Sequence, residues 1–224
     1  MKSILIPYLS IMLAASLTDV VYAEEAEIQK SFNGIRQLKV SSLQGQTRVV
    51  GADTSEVTVH IQKRNFSERC DLTVRQEGET LNIEVSKGWL MTSGVYCDAD
   101  ITLTVPATLQ VRAYQAIGML TAQDLSGPFS VKSPSARLIL ADVSSKEVRV
   151  EATSGEVELL YKNAAPGRIA IDTTSSSVRY RSPEPTKVTF SSISGRLRAD
   201  GKPIEMSASS EIEFSSVSGS FIWE

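Results

Sequence analysis

A 13-residue pattern recurs through the C-terminal half of this chain, and it restricts the fold more than any other feature. The clearest copy runs from Glu147 to Leu159. It sets apolar residues at Val148, Val150, Val157 and Leu159 around a small polar turn that ends in Ser154 and Gly155. Further copies run from Arg168 to Tyr180, Lys187 to Ala199 and Glu211 to Trp223. Looser ones span Gln110–Ala122 and Pro128–Leu140, and an isolated early one spans Gln37–Val49. Apolar residues two apart put one face of each short strand in a core. The turn column reads Gly45, Gly118, Ala136, Gly155, Ser176, Gly195, Gly219, and from Gly118 the steps are 18, 19, 21, 19 and 24 residues. A spacing of about 20 residues in an all-β sequence points to stacked coils, a β-solenoid or β-helix. One coil buries too little apolar surface to offset the ordering of its own backbone, so neighbouring coils must close the core together.

Taken in chain order, the apolar columns are Val148, Ile169, Val188, Ile212; Val150, Ile171, Phe190, Phe214; and Val157, Val178, Leu197, Phe221. Strands about 4.8 Å apart turn each column into a continuous ladder. The glycine column fits a turn that needs positive φ. Ser154, Ser175, Ser194 and Ser218 precede it and are expected to bond turn backbone or one another, not to act as a row of nucleophiles. Trp223 takes the place held by Leu159 and reads, with Phe221, as core of the terminal coil. The strands are too short for a membrane β-barrel, which needs about 9–11 residues per strand.

Between Val49 and Leu109 the pattern widens. Alternating runs occur at Val57-Val59-Ile61, Leu72-Val74, Leu81-Ile83-Val85 and Ile101-Leu103-Val105, with a polar hairpin turn at Gln76–Glu79 and Pro106 closing the last run. These wider strands are expected to continue into the solenoid. The chain therefore divides into a leader at 1–23, an N-terminal β region at 24–109 and a repetitive solenoid at 110–224. The leader reads as a signal peptide: Met1-Lys2, an apolar run from Ile4 to Leu17, then Val21 and Ala23 at the cleavage site. Pro7, Tyr8 and Ser10 interrupt the run, which is shorter than the roughly 20 residues that span a bilayer. The expected location is outside the cytoplasm, periplasmic or at the cell surface. Cys70 and Cys97 form an even pair, read as a disulfide in an exported chain.

Net charge is −3, with 23 basic and 26 acidic residues, which is no nucleic-acid footprint. His60 is the only histidine and falls out of phase with Val57, Val59 and Ile61, so it faces solvent. One histidine and two paired cysteines do not make a zinc site, and no phosphate loop or dinucleotide fingerprint is present. No cofactor is expected.

The Ser-Gly turns between apolar pairs, as at Val148–Leu159 and Val188–Ala199, and the lead-in Val105-Pro106 followed by Leu109-Gln110-Val111, resemble a bacterial adhesin-like family of β-solenoid proteins. The likeness covers roughly Ser31 to Trp223. It implies an architecture similar to right-handed β-helices and a role at the cell surface or envelope, and it brings no catalytic motif. The cysteine pair and the loop that follows Lys87 lie outside the motif.

Two surfaces are candidates for binding. The first is that loop, where Trp89, Leu90, Met91 and Tyr96 are apolar yet tethered between glycines and Cys97; the competing reading folds it over a coil face. The second is a basic strip of Arg137, Arg179, Arg181, Arg196 and Arg198, interrupted by Glu156 and Glu158. The expected function is an exported, non-catalytic binder or scaffold, its partner an envelope protein or a glycan. A carbohydrate-active β-helix enzyme would need convergent acids in a groove, and a structural envelope protein would self-associate through open coil ends.

Overall fold

Strict alternation of aliphatic and polar residues makes nearly every run of this chain a half-buried strand. The computed structural model describes residues 20–22, 26–87, 94–162, 167–183, 185–199 and 210–224, and there it contains strands and turns but no helix. The N-terminal strands are β1 (Val20–Tyr22), β2 (Glu27–Asn33), β3 (Gln37–Ser42), β4 (Gln46–Ala52), β5 (Glu56–Phe66), β6 (Cys70–Glu77), β7 (Thr80–Lys87) and β8 (Cys97–Pro106). Then follow β9 (Gln110–Gln115), β10 (Ile117–Gln123), β11 (Phe129–Ser133), β12 (Ser135–Ala141), β13 (Glu147–Ala152) and β14 (Glu156–Leu160). The last are β15 (Arg168–Thr173), β16 (Ser177–Arg181), β17 (Thr186–Ser192), β18 (Arg196–Ala199), β19 (Ser210–Ser216) and β20 (Ser220–Trp223). Of the leader read at 1–23, residues 1–19 and 23 lie outside the described residues; β1 pairs antiparallel with β6.

Each repeat copy is one coil of two strands. The coils stack into two open ten-stranded sheets, ordered β1-β6-β7-β3-β9-β11-β13-β15-β19-β17 and β2-β5-β8-β4-β10-β12-β14-β16-β20-β18. From β7 and β8 onward every ladder is parallel and in register, so Val148 pairs with Ile169 and Val157 with Val178. The facing sheets enclose one core running the length of the stack, in which Leu38, Val49, Leu103, Leu120, Leu138, Val150, Ile169 and Val178 are almost fully buried. Each such side chain contributes about 1.5–3 kcal/mol of burial. The fold is the β-solenoid expected, with the wider N-terminal strands continuous with it through the antiparallel pairs β6–β7, β5–β8 and β2–β5.

The order of the coils departs from the chain at both ends. The early copy β3–β4 lies between the coil β7–β8 and the coil β9–β10. At the other end the last copy, β19–β20, is inserted between β15–β16 and β17–β18. The column therefore runs Ile171, Phe214, Phe190, and Trp223 belongs to the penultimate coil instead of the terminal one.

Two forces favour the insertion. Ile212, Phe214, Phe221 and Trp223 are the largest apolar set of any copy and are fully buried there, whereas Leu197 at the open end stays 40% exposed. Charge agrees: chain order would place Arg168 beside Lys187 and Arg179 beside Arg198 on neighbouring strands, and like charges directly opposite destabilise a sheet. Insertion interleaves Glu211 between Arg168 and Lys187 and Ile222 between Arg179 and Arg198. Arg168 then bonds Glu213 at 2.7 Å and Lys187 bonds Glu211 at 2.6 Å.

Candidate binding faces

The turn edge of the stack is built from small residues because neighbouring turns touch. Gly45, Gly118 and Gly155 have φ of +97°, +101° and +112°, and a Cβ on Gly155 would stand 2.4 Å from the Ala136 carbonyl oxygen. Gly195 and Gly219 are needed for close approach alone, since an added Cβ would stand 2.3 and 2.6 Å from the carbonyls of Gly219 and Ser176. The serines before the glycines reach the next turn: the hydroxyls of Ser154, Ser175, Ser194 and Ser218 donate to the carbonyls of Pro134, Thr153, Val217 and Thr174. A second row, unrecognised in the repeat, caps the turns from inside. Ser133, Ser192 and Ser216 accept the N–H of Ala136, Gly195 and Gly219. These hydroxyls are engaged with backbone, as turn-forming serines should be.

The Cys70–Cys97 disulfide sits on this edge, with Cα atoms 5.7 Å apart. It joins the start of β6 in one sheet to the start of β8 in the other, where the link between β7 and β8 is much longer than the turns of other coils. That link carries the expected binding loop. Trp89, Leu90 and Met91 lie outside the described residues; Tyr96 is 54% exposed, while the neighbouring Val95 packs against the core. Gln44 accepts the Cys97 N–H at 3.0 Å and so ties the end of the loop to the early repeat.

Arg137, Arg179, Arg181, Arg196 and Arg198 all point outward from the sheet that contains β12, β16 and β18. Acids stand beside Arg137, Arg179 and Arg181. Arg137 bonds Glu158 and lies 3.5 Å from Glu156; Arg179 lies 3.2 Å from Glu156; Arg181 lies 2.7 Å from Glu224. The Glu158 hydrogen bond holds the Arg137 guanidinium above its ordinary pKa. Arg196 and Arg198 are exposed on the end coil, separated from Arg179 by the inserted β20. His60, half-exposed as expected, lies 2.6 Å from Glu27, and the contact holds the Glu27 carboxyl below the usual range. Among the described residues no three His, Cys, Asp or Glu side chains cluster as metal ligands would.

The opposite sheet bears a feature the repeat reading passed over. Lys39, Arg112, Ser130 and Arg149 occupy one outward column on β3, β9, β11 and β13. Arg149 lies 3.4 Å from Glu151 and 3.8 Å from Asp172, and Lys132 lies 3.3 Å from Glu151. Lys39 and Arg112, direct neighbours across the β3–β9 ladder, have no carboxylate within 4.0 Å among the described residues. The signal was legible: both residues hold the third position of their copies, where Arg149 stands in the clearest one.

Among solved structures the chain is similar to a candidate cell adhesion protein from Clostridium sporogenes, with 11% identity, 88% of this chain and 98% of that one covered, and a TM-score of 0.44. It is also similar to a candidate lipid binding protein from Parabacteroides distasonis (12% identity, 88% and 97% covered, TM-score 0.38). A candidate adhesin from Bacteroides fragilis matches at 12% identity, with 90% and 98% covered and a TM-score of 0.32. No curated protein matches the chain. Residues 35–221, almost the whole solenoid with its N-terminal strands, match one family throughout, and the chain belongs to the Toastrack DUF4097 family.

Proposed function

We propose that the protein is an exported, non-catalytic binder or scaffold of the bacterial cell envelope. The observation that carries this reading is the use to which the outward carboxylates are put. Glu156, Glu158, Glu151, Glu211 and Glu213 all lie in ion pairs spread along two broad faces. Glycoside cleavage asks for two acids facing each other across a substrate, whereas these acids face arginines and lysines. Rigid, ladder-like faces suit contact with an extended partner. The disulfide fits an oxidising compartment, and the leader read at 1–23 accounts for how the chain would reach it.

The test is a pull-down from envelope extract with the purified mature chain, with and without the 88–96 loop, alongside turnover assays on envelope polysaccharides. Saturable recovery of a discrete partner, with no release of reducing ends, supports the reading. Polysaccharide cleavage that disappears in E156Q/E158Q overturns it.

A second reading has its own observation. The end coil leaves Ile193 84% and Leu197 40% exposed, beside edges of β17 and β18 that pair with no further strand among the described residues. Open edges and apolar ends associate. Sedimentation at several concentrations separates the two: a mass that grows with concentration and collapses in I193S/L197S favours self-association.

A further inference from the structure

We propose that the face formed by β7, β3, β9, β11 and β13 is a binding site for an acidic polysaccharide, with Lys39 and Arg112 as its anion-holding pair. This deepens the binder reading above and rests on it. The argument begins with charge. Adjacent in-register strands lie about 4.8 Å apart, so Lys39 and Arg112 hold two like charges side by side, an unfavourable arrangement in a ladder. Elsewhere the stack relieves such pairs. Glu151 and Asp172 also face each other across a ladder, yet Arg149 bridges them. Arg168 and Lys187 are kept apart by Glu211. The protein brings no counter-charge to Lys39 and Arg112 within 4.0 Å among the described residues, which leaves the pair to solvent ions or to an anionic ligand that displaces them.

Shape and chemistry narrow the ligand. Arg112 stands between two shallow depressions. One is lined by Lys39, Ser41, Asn82, Glu84 and Tyr114 among others; the other by Gln110, Ser130, Glu147 and Arg149. Together they cross five strands at right angles to the chain direction, a track about 20 Å long at 4.8 Å per strand. The lining sets cations among amide and hydroxyl groups and two carboxylates, and Tyr114 lies between Ser41 and Lys132 on the neighbouring strands. Shallow and open, with polar groups beside apolar lining such as Ile83 and Pro128, the track suits a chain of hydroxyl-bearing rings that carries anions at intervals. A lipid headgroup would use the cations but leave the long row of hydrogen-bonding groups idle. The carboxylates of Glu84 and Glu147 within the lining limit how many anions fit, so sparse charge, as on a uronate polymer, fits better than dense sulfation.

The experiment uses the mature full chain with three glycans of matched length (oligogalacturonate, dextran sulfate and neutral dextran) and with phosphatidylglycerol vesicles. Binding is followed by calorimetry at low and moderate salt. Oligogalacturonate is expected to bind with an affinity that falls as salt rises, dextran sulfate to bind no more tightly, and dextran not to bind. K39A/R112A should weaken oligogalacturonate at least tenfold and flatten the salt dependence, whereas R179A, on the other sheet, should bind as the wild type does. K39Q/R112Q serves if the alanine variant fails to fold, although removal of a like-charge pair should leave the melting temperature unchanged or raised. As an independent readout, oligogalacturonate should raise the melting temperature of the wild type and not of the variant. Absence of binding to both acidic glycans, equal binding by K39A/R112A, equal loss in R179A, or binding to vesicles in place of glycans overturns the proposal. A partner that K39A/R112A still recovers from envelope extract leaves the broader binder reading standing while this site fails.

Discussion

Replacing Phe214 by alanine tests the inserted coil directly. Phe214 is 1% exposed; its ring stacks on Phe190 at 5.2 Å and tilts against Phe221 at 5.6 Å, with Ile171 on the other side of the ladder. Removing a fully buried phenylalanine costs about 3–5 kcal/mol. At about 2–4 °C per kcal/mol for a chain of this size, the melting temperature should fall by roughly 6–20 °C. Among the described residues Phe190 has a coil on one side only, and it is only partly buried. Half of a full side-chain burial gives about 0.8–1.5 kcal/mol for Phe190→Ala. Had the coils stacked in chain order, Phe190 would be the interior residue and the two costs would be reversed. Thermal and urea unfolding followed by far-UV circular dichroism gives the ranking, and hydrogen exchange locates it. Loosening in F190A should stay within β17 and β18, whereas F214A should also expose β15, β16, β19 and β20, because each coil leans on its neighbours. A cost for F190A equal to or above that for F214A would refute the inserted order.

Other outcomes follow from the same contacts. C70S/C97S removes a cross-link closing a 27-residue separation and should cost about 3.5 kcal/mol by chain entropy; exchange should rise first in β6 and β8, and reduction of the wild type should reproduce it. Gly155→Ala should cost at least about 2 kcal/mol, since φ of +112° strains any side chain and its Cβ meets the Ala136 carbonyl. Gly34→Ala, at φ +70° with nothing within 4 Å, should lose only about 1 kcal/mol by denaturant titration. Glu27 and Glu211 are held below their ordinary value of 4.5, chiefly by hydrogen bonds from His60 and Lys187. A depressed carboxyl stabilises the fold above its unfolded pKa and ceases to do so as pH falls through the folded one. Stability should therefore decline as pH drops below about 4.5, and E27Q/E211Q should show a shallower decline between pH 6 and pH 3 in urea titrations.

The repeat made the interior legible because its periodicity is enforced residue by residue. A slip of one position would turn Val148 or Ile169 to solvent, so the register read from alternation is the register of the ladders. Coil order is a weaker signal. Every copy offers equivalent apolar columns, so Phe190 and Phe214 could each have followed Ile171 without changing the pattern. What decides between them is relative bulk and outward charge, written in Trp223 against Ala199 and in Glu211 between Arg168 and Lys187. The 24-residue step from Gly195 to Gly219, the longest of the series, and the prolines Pro183 and Pro185 mark the place where the chain leaves sequential order. The four residues 182–185 must pass one coil to reach β17, and about 3.3–3.6 Å per extended residue is enough to do so. The outward arginines were legible as residues but not as a site, since their charge depends on which acids a neighbouring coil brings alongside.

That dependence shows where function can reside in such a stack. An inward substitution disturbs a ladder shared by three coils, so the core leaves little room for specialisation. An outward substitution alters one square of a face whose backbone is already fixed, and exposed charges contribute little to stability. Charge can thus be placed, cancelled or left open along a face at small cost. On the β12–β14–β16 side Arg137 and Arg179 are answered by Glu156 and Glu158, and the surface is electrostatically closed. On the β3–β9 side Lys39 and Arg112 have no carboxylate within 4.0 Å among the described residues, in the middle of the stack, and their strands are tied to the core through Leu38, Val40, Val111 and Ala113. The backbone under this pair is already fixed, so meeting an anion orders only the two side chains, and the open counter-charge is the physical ground for proposing recognition on that face.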